Sequence, residues 1–284
     1  MAALRTLSEY ACFGGVQGFY EHDSCAVGLP MRFGVYLPPQ ANHGPVPALF
    51  FLAGLTCNEE TFAIKAGAQR MAAALGIALV TPDTSPRGAN LPGEADHWDF
   101  GVGAGFYLDA TQQPWSRHWK MASYIAHELR ELVVQAFSIN TQQVGIFGHS
   151  MGGHGALTLG LQFPMLFRSV SAFAPIAAPA LCPWGQKAFS AYLGADPQVW
   201  AASDASALVQ SGARTTHILI DQGLADKFLT EQLHPDLFAQ ACVAGGQPLT
   251  LRRHAGYDHG YYFIASFVED HLRHHSRILC SHTP

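Results

Sequence analysis

Gly148-His149-Ser150-Met151-Gly152 sets a single serine between two glycines. The run Val144-Gly145-Ile146-Phe147 precedes it and small residues suited to a helix follow, so Ser150 falls on a strand-to-helix turn. A serine on such a turn sits in strained backbone with its hydroxyl lifted clear of the sheet, and side chains at the flanking positions would strike neighbouring backbone. The Met151 amide and the helix N-terminus point to where negative charge develops when a carbonyl is attacked. The chemistry this suggests is acyl transfer through a serine nucleophile.

Such a nucleophile needs a base and an orienting acid, which in this setting follow in the order serine, acid, histidine. Thr216 to Gly223 reads as a buried strand, and Asp226 lies in the loop beyond its C-terminal end. Asp221 is the competing acid. It falls inside the strand pattern, where it is expected to cap or brace a loop, so Asp226 is preferred. A further strand, Pro248 to His254, leads into Gly256-Tyr257-Asp258-His259-Gly260. His254 still belongs to the strand pattern, whereas His259 occupies the glycine-flanked loop before the last helix and is the better base. His259 would take the Ser150 proton while Asp226 fixes its tautomer and stabilises the imidazolium. The oxyanion needs a second amide, and Gly54-Leu55-Thr56-Cys57, at the end of an earlier strand, assigns it to Leu55. Cys57 is read as a neighbour of the site and not as its nucleophile, because a catalytic thiol would need an activating base of its own.

These residues must be held by a scaffold of alternating elements. Glu9 to Phe19 and Met31 to Leu37 read as two antiparallel strands with a polar turn between them. The strand Ala48 to Gly54, the helix Glu59 to Leu75 and the strand Ile77 to Pro82 follow, then helical periodicity from Met121 to Phe137. The elbow strand and its helix, a strand at Ser169 to Phe173, and the strand–helix pairs carrying Asp226 and His259 complete an α/β pattern. That pattern implies a mostly parallel sheet covered on both faces, in one domain over residues 1–284. Two long connections rich in glycine, proline and aromatic residues, Asp83 to Trp119 and Ala174 to Ala201, are expected to shape a pocket.

Composition narrows the possible partners. Of the 284 residues 49% are hydrophobic and only 13% charged, which favours a large buried core over disorder. A net charge of −5 and no basic cluster argue against a nucleic-acid partner. The N-terminal residues lack the apolar core of a signal peptide, and runs such as Pro47 to Leu55 are far short of a membrane span. The expectation is a soluble, cytoplasmic protein whose 6 scattered cysteines are free thiols. Among 15 histidines, His271, His274 and His275 could share one helix face. A solvated helix end, with positive histidines suiting its dipole, is preferred there over a metal site. His149 and His154 are expected to pack or hydrogen-bond structurally. No metal and no cofactor are expected.

The blocks Phe147 to Leu157, Gly54 to Cys57, Ser85-Pro86-Arg87-Gly88, Trp98 to Tyr107, Ser171 to Ile176, Pro183 to Phe189, and Gly256 to His259 followed by Tyr261 to Ile264 occur in this order along nearly the whole chain. In these blocks the chain resembles the S-formylglutathione hydrolases of the esterase D family. The resemblance implies an α/β-hydrolase fold and a Ser150, Asp226 and His259 triad, in agreement with the residue-level choice. It also implies hydrolysis of S-formylglutathione to formate and glutathione, and a homodimer. One departure is Gly260, where the family pattern has serine. A hydrophobic pocket discriminates one methylene by only about 1–3 kcal/mol, so preference for a formyl group should rest mainly on steric exclusion, and the bulky residues of the long loops, Trp98, Phe106 and Trp184 among them, are the candidates for that wall. Arg87 and Lys187 are the cations available for the glutathione carboxylates. Two other readings stand beside this one: a broad carboxylesterase on the same scaffold, and a non-catalytic binding protein on the same fold.

Overall fold

The structure is a computed structural model that describes residues 4–281. Residues 1–3 and 282–284, which include the start of the N-terminal segment read above and both ends of the expected domain, lie outside the described residues. Nine strands form one sheet: β1 (Arg5–Cys12), β2 (Gly15–Asp23), β3 (Pro30–Leu37), β4 (Val46–Leu52), β5 (Ala78–Pro82), β6 (Ile139–His149), β7 (Val170–Phe173), β8 (Ile218–Gly223) and β9 (Leu249–His254). Their spatial order is β1-β2-β3-β5-β4-β6-β7-β8-β9. The three pairings from β1 to β5 are antiparallel and the five from β5 to β9 are parallel.

The helices are α1 (Thr61–Lys65), α2 (Gln69–Leu75), α3 (Met121–Ser123), α4 (Arg130–Ala136), α5 (Met151–Gln162), α6 (Pro183–Leu193), α7 (Pro197–Trp200), α8 (Ala205–Gln210), α9 (Pro235–Gly245) and α10 (Tyr261–Leu279). A π-helical stretch, Tyr124–Leu129, joins α3 to α4 in the single helix expected there. Burial on both faces explains why the central parallel strands read as unbroken apolar runs: Leu49, Phe50, Phe51 and Leu52 of β4 are all fully buried. Phe51 stacks on Phe62 of α1 at 3.6 Å and meets Phe147 of β6 edge-on at 4.9 Å, so one aromatic cluster ties strand, helix and elbow strand together.

Strand order reverses at β4, which pairs with β5 on one side and β6 on the other. The crevice beyond the carboxyl ends of strands at such a switch point is where open α/β sheets bind ligands. The register brings Leu52 opposite Gly148, His149 opposite Phe173, Phe173 opposite Asp221, and Gly223 opposite His254. The segments beginning with Leu55, Ser150, Asp226 and His259 therefore all leave the sheet at one end.

Several elements differ from the expectation. The expected strand Glu9 to Phe19 is instead parts of two strands, β1 and β2, folded back at Phe13-Gly14. The expected helix Glu59 to Leu75 is two helices, α1 and α2, separated at Gly67, whose φ of 67° is outside the helical region. The connection Ala174 to Ala201 is not a loop throughout, since it contains α6 and α7.

Candidate active site

Ser150 precedes α5 with φ 58° and ψ −117°, a conformation that residues with a Cβ rarely adopt. The neighbouring glycines make room for it: a Cβ at Gly148 would overlap the Gly152 carbonyl, and one at Gly152 would overlap that of Leu52. The Ser150 amide donates to Phe173 O at 3.0 Å, and the Ser150 carbonyl accepts from His154 N at 2.9 Å and Ile176 N at 3.2 Å. Strain of this kind persists only when the surroundings over-determine it, and these bonds do so.

His259 lies in the loop between β9 and α10, and its Nδ1 is 2.5 Å from Asp226 Oδ2. Asp226 is buried. Its Oδ1 accepts from Phe228 N at 2.8 Å, and Gln222 Nε2 donates to Oδ2 at 3.3 Å. With Nδ1 protonated and donating to the carboxylate, Nε2 is left as the basic nitrogen. The His259 ring lies 4.4 Å from that of His149 and 5.1 Å from that of Phe228. Since His149 immediately precedes Ser150, the imidazole sits at the elbow. Burial, and then the neighbouring His259, push His149 well below the usual histidine range, so it stays neutral beside the base.

The turn after β4 faces the elbow from the other side: a Cβ on Gly54 would stand 3.3 Å from Ser150 Cβ. Among the described residues neither the Leu55 nor the Met151 amide has a hydrogen-bond acceptor. Two backbone donors, one next to Ser150 in the chain and one in the turn that faces it, are thus without protein acceptors. Cys57, half-buried, lies against Thr61 and Tyr261, and burial raises its thiol above the ordinary value, so it stays protonated at neutral pH.

The expected substrate contacts divide. Trp98 is 57% exposed and meets Trp184 edge-on at 5.6 Å; Trp184 in turn lies 4.7 Å from Phe228, which packs on His259. This aromatic row does reach the site. Phe106 does not form an open wall: it is fully buried between His154 and Phe189. Arg87 and Lys187 are not free cations either, since Arg87 holds Asp83 and Lys187 holds Asp99, each at 2.5 Å. Phe228, which sequence reasoning passed over, was detectable only from its place two residues beyond Asp226. His154 packs as expected, with Nε2 3.0 Å from Phe106 O, and burial lowers it to about 4.

Asp221 lies elsewhere. Arg252 Nε and Nη2 donate to its two oxygens at 2.6 Å and 2.5 Å, and His271 Nε2 lies 3.2 Å from Oδ2. It braces β9 and α10 instead of a loop. Burial opposes ionisation of Asp221, but the bonds from His271 and Arg252 outweigh it and hold the carboxyl below its usual range. His271 Nδ1 is 2.8 Å from Ser171 Oγ, Ser171 Oγ is 2.8 Å from His275 Nε2, and His275 Nδ1 is 2.7 Å from Ser169 Oγ. One proton arrangement satisfies the whole chain: each Nε2–H donates toward Asp221, and each serine hydroxyl donates to the next Nδ1. The solvated helix end expected around His271, His274 and His275 is therefore wrong. His271 and His275 are fully buried, and burial lowers all three histidines, His274 to about 4. Among the described residues no three His, Cys, Asp or Glu side chains are grouped as a metal ion would require.

A mostly parallel sheet with a strained serine at the elbow, at the strand ends where the order reverses, defines the α/β-hydrolase class. Comparison with known proteins narrows the class. The Esterase family matches residues 24–274. S-formylglutathione hydrolase from Mus musculus is 52% identical over 98% of this chain and 99% of its own, and that from Paracoccus denitrificans 50% identical over 98% and 99%. The solved structure of an S-formylglutathione hydrolase from Agrobacterium tumefaciens superposes with a TM-score of 0.95 at 48% identity, covering 97% of this chain and 99% of that one. The chain belongs to the Esterase family, among the S-formylglutathione hydrolases.

Proposed function

We propose that this protein hydrolyses S-formylglutathione to formate and glutathione, with Ser150 as nucleophile, His259 as base, Asp226 as orienting acid and the Leu55 and Met151 amides as oxyanion donors. The observation that carries the reading is the 2.5 Å Asp226–His259 contact set against the strained Ser150 elbow. His259 Nε2 takes the hydroxyl proton as Ser150 attacks the thioester carbonyl. The tetrahedral oxyanion collapses with loss of thiolate, a leaving group whose acid has a pKa of about 8.5 and which needs less protonation than an alkoxide. Water, deprotonated by His259, then releases formate from the formyl-serine.

With Arg87 and Lys187 paired, the cations left for the glutathione carboxylates are Lys227, 4.9 Å from the Phe228 ring, and Lys65, 5.7 Å from that of Tyr261. Both are exposed, and neither makes an ion pair among the described residues. The Trp98–Trp184–Phe228 row would narrow the acyl side, and Cys57 would border it. We further read the chain as one domain, cytoplasmic and homodimeric. No described helix is long and apolar enough to cross a membrane.

The test is kcat/KM for S-formylglutathione, S-lactoylglutathione and a simple aryl acetate, with Ser150→Ala as control. A strong preference for the formyl thioester and loss of at least about 10⁴-fold in the variant are expected. Equal turnover of all three would favour the broad carboxylesterase, and undiminished turnover by folded Ser150→Ala would remove the nucleophile.

A further inference from the structure

We infer that Arg87 and Thr84 are positioning residues of the oxyanion turn: together they clamp the Cys57 carbonyl, and so hold the Leu55 amide where it donates to the oxygen of the attacked carbonyl. The inference rests on the roles assigned above to Ser150 and Leu55. Residues 53–57 leave β4 with no regular structure of their own, yet five of their backbone groups, on both sides of Leu55, are held by hydrogen bonds. Tyr107 Oη donates to Ala53 O at 2.8 Å, Thr56 N to Gly103 O at 3.0 Å, and Cys57 N to Gly54 O at 3.3 Å. Thr84 Oγ1 donates to Cys57 O at 2.6 Å and Arg87 Nη2 donates to the same oxygen at 3.2 Å. Within this set of bonds the Leu55 N–H is left without an acceptor among the described residues.

Two features support the clamp. Thr56, a β-branched residue, is held at φ 68°, where such residues are outliers that persist only under outside constraint. The Arg87 guanidinium is itself fixed in a bidentate grip, Nε to Asp83 Oδ2 at 2.5 Å and Nη2 to Oδ1 at 2.8 Å, and Asp83 Oδ1 also accepts from Thr84 N at 2.7 Å. Asp83 and Thr84 are buried at the end of β5, the neighbour of β4, so the turn is referenced to the sheet and not to solvent. Arg87, expected from sequence to meet a glutathione carboxylate, has its fork directed to Asp83 and Cys57.

A donor serves an oxyanion only within about 2.7–3.1 Å of it, and deleting one such donor lowers kcat by about 10²–10³-fold. Loosening the clamp displaces the donor without deleting it, so the expected loss is smaller, about 10- to 100-fold in kcat with KM nearly unchanged. The loss should be the same on a charged thioester and a neutral ester, because both develop the same oxyanion.

The experiment measures kcat and KM of Arg87→Gln, Thr84→Val and Thr84→Ser on S-formylglutathione and on 4-nitrophenyl acetate, with near-UV circular dichroism to verify folding. Thr84→Val removes the donor at nearly constant shape, and Thr84→Ser restores it. Parallel kcat losses on both substrates in Arg87→Gln and Thr84→Val, with Thr84→Ser near wild type, are the expected result. A KM rise confined to S-formylglutathione in Arg87→Gln, with the ester unaffected, would overturn the clamp in favour of direct substrate contact. Wild-type kinetics in folded Thr84→Val would also overturn it, whether or not Arg87→Gln folds. If the wild-type protein turns over the ester but not S-formylglutathione, the substrate reading fails, and the ester kinetics alone then decide the clamp.

Discussion

Two aspartates five residues apart, Asp221 and Asp226, each meet a histidine from the C-terminal segment, and the two pairs are built for opposite ends. His271 is fully buried, and its Asp221 partner is balanced by a guanidinium, so nothing in that pair needs to change charge. Among the described residues the Asp226–His259 pair has no cation among its hydrogen-bond partners, and the His259 side chain keeps 16% exposure beside the strained serine. A positive charge arising on His259 would therefore find an uncompensated carboxylate waiting for it. The difference lies in the third partner: a permanent cation turns an Asp–His pair into a brace, and its absence leaves the pair able to accept a proton.

Exchanging the acids separately should break the comparison most sharply. Asp226→Asn is expected to lower kcat by about 10⁴-fold with little change in melting temperature, because an amide favours the wrong His259 tautomer. Steady-state kinetics and a thermal melt on the same sample check this, and an unaffected kcat would dissolve the distinction. Asp221→Asn should do the converse, leaving the partly buried Arg252 with only the exposed Asp270 as its carboxylate partner. The expected destabilisation is about 3 kcal/mol, the lower end for a broken buried pair because Arg252 is partly exposed, with kcat of the folded fraction retained. Urea unfolding provides the number.

The pH dependence of stability sharpens the comparison. His149, His154, His271, His274 and His275 are all lowered in the folded state, two of them to about 4, whereas unfolded histidine titrates near 6.5. Between those values the unfolded chain binds more protons, so stability should fall as pH drops below about 6.5 and continue falling toward about 4. A melting temperature flat from pH 7 to 5 would return these histidines to solvent. The smallest effect concerns Gly260, which precedes α10 without a side-chain cap. Gly260→Ser should add a few tenths of a kcal/mol by capping that helix, leaving kcat unchanged. A lower urea midpoint would mean that Asp258 Oδ1, 3.1 Å from the new Cβ, cannot give way.

What the sequence made legible was local. The elbow is a five-residue steric pattern, and Asp226 and His259 stand out because they follow strands instead of lying within them. The parallel strands could be read because burial on both faces leaves continuous apolar runs, as in β4. What was missed depends on partners distant in the chain. His271 and His275 look like a polar helix end until Ser171 and Ser169, about a hundred residues earlier, are brought beneath them. Lys187 reads as a free cation in the sequence because its partner Asp99 lies 88 residues away. The break at Gly67 was local, yet helical periodicity on both sides concealed it.

The register of the sheet has a further consequence. The two amides proposed as oxyanion donors lie three residues beyond Leu52 and Gly148, which are paired in the middle of the sheet, so the β4–β6 pairing anchors the segments that carry them. Asp226 and His259, the proposed acid and base, instead hang on loops leaving β8 and β9 at the far side. Segments of that kind open with far less free energy than a central strand pair. Under gentle denaturation the site should come apart in order: proton transfer fails first, while the cradle for the reacting oxygen persists until the whole sheet melts.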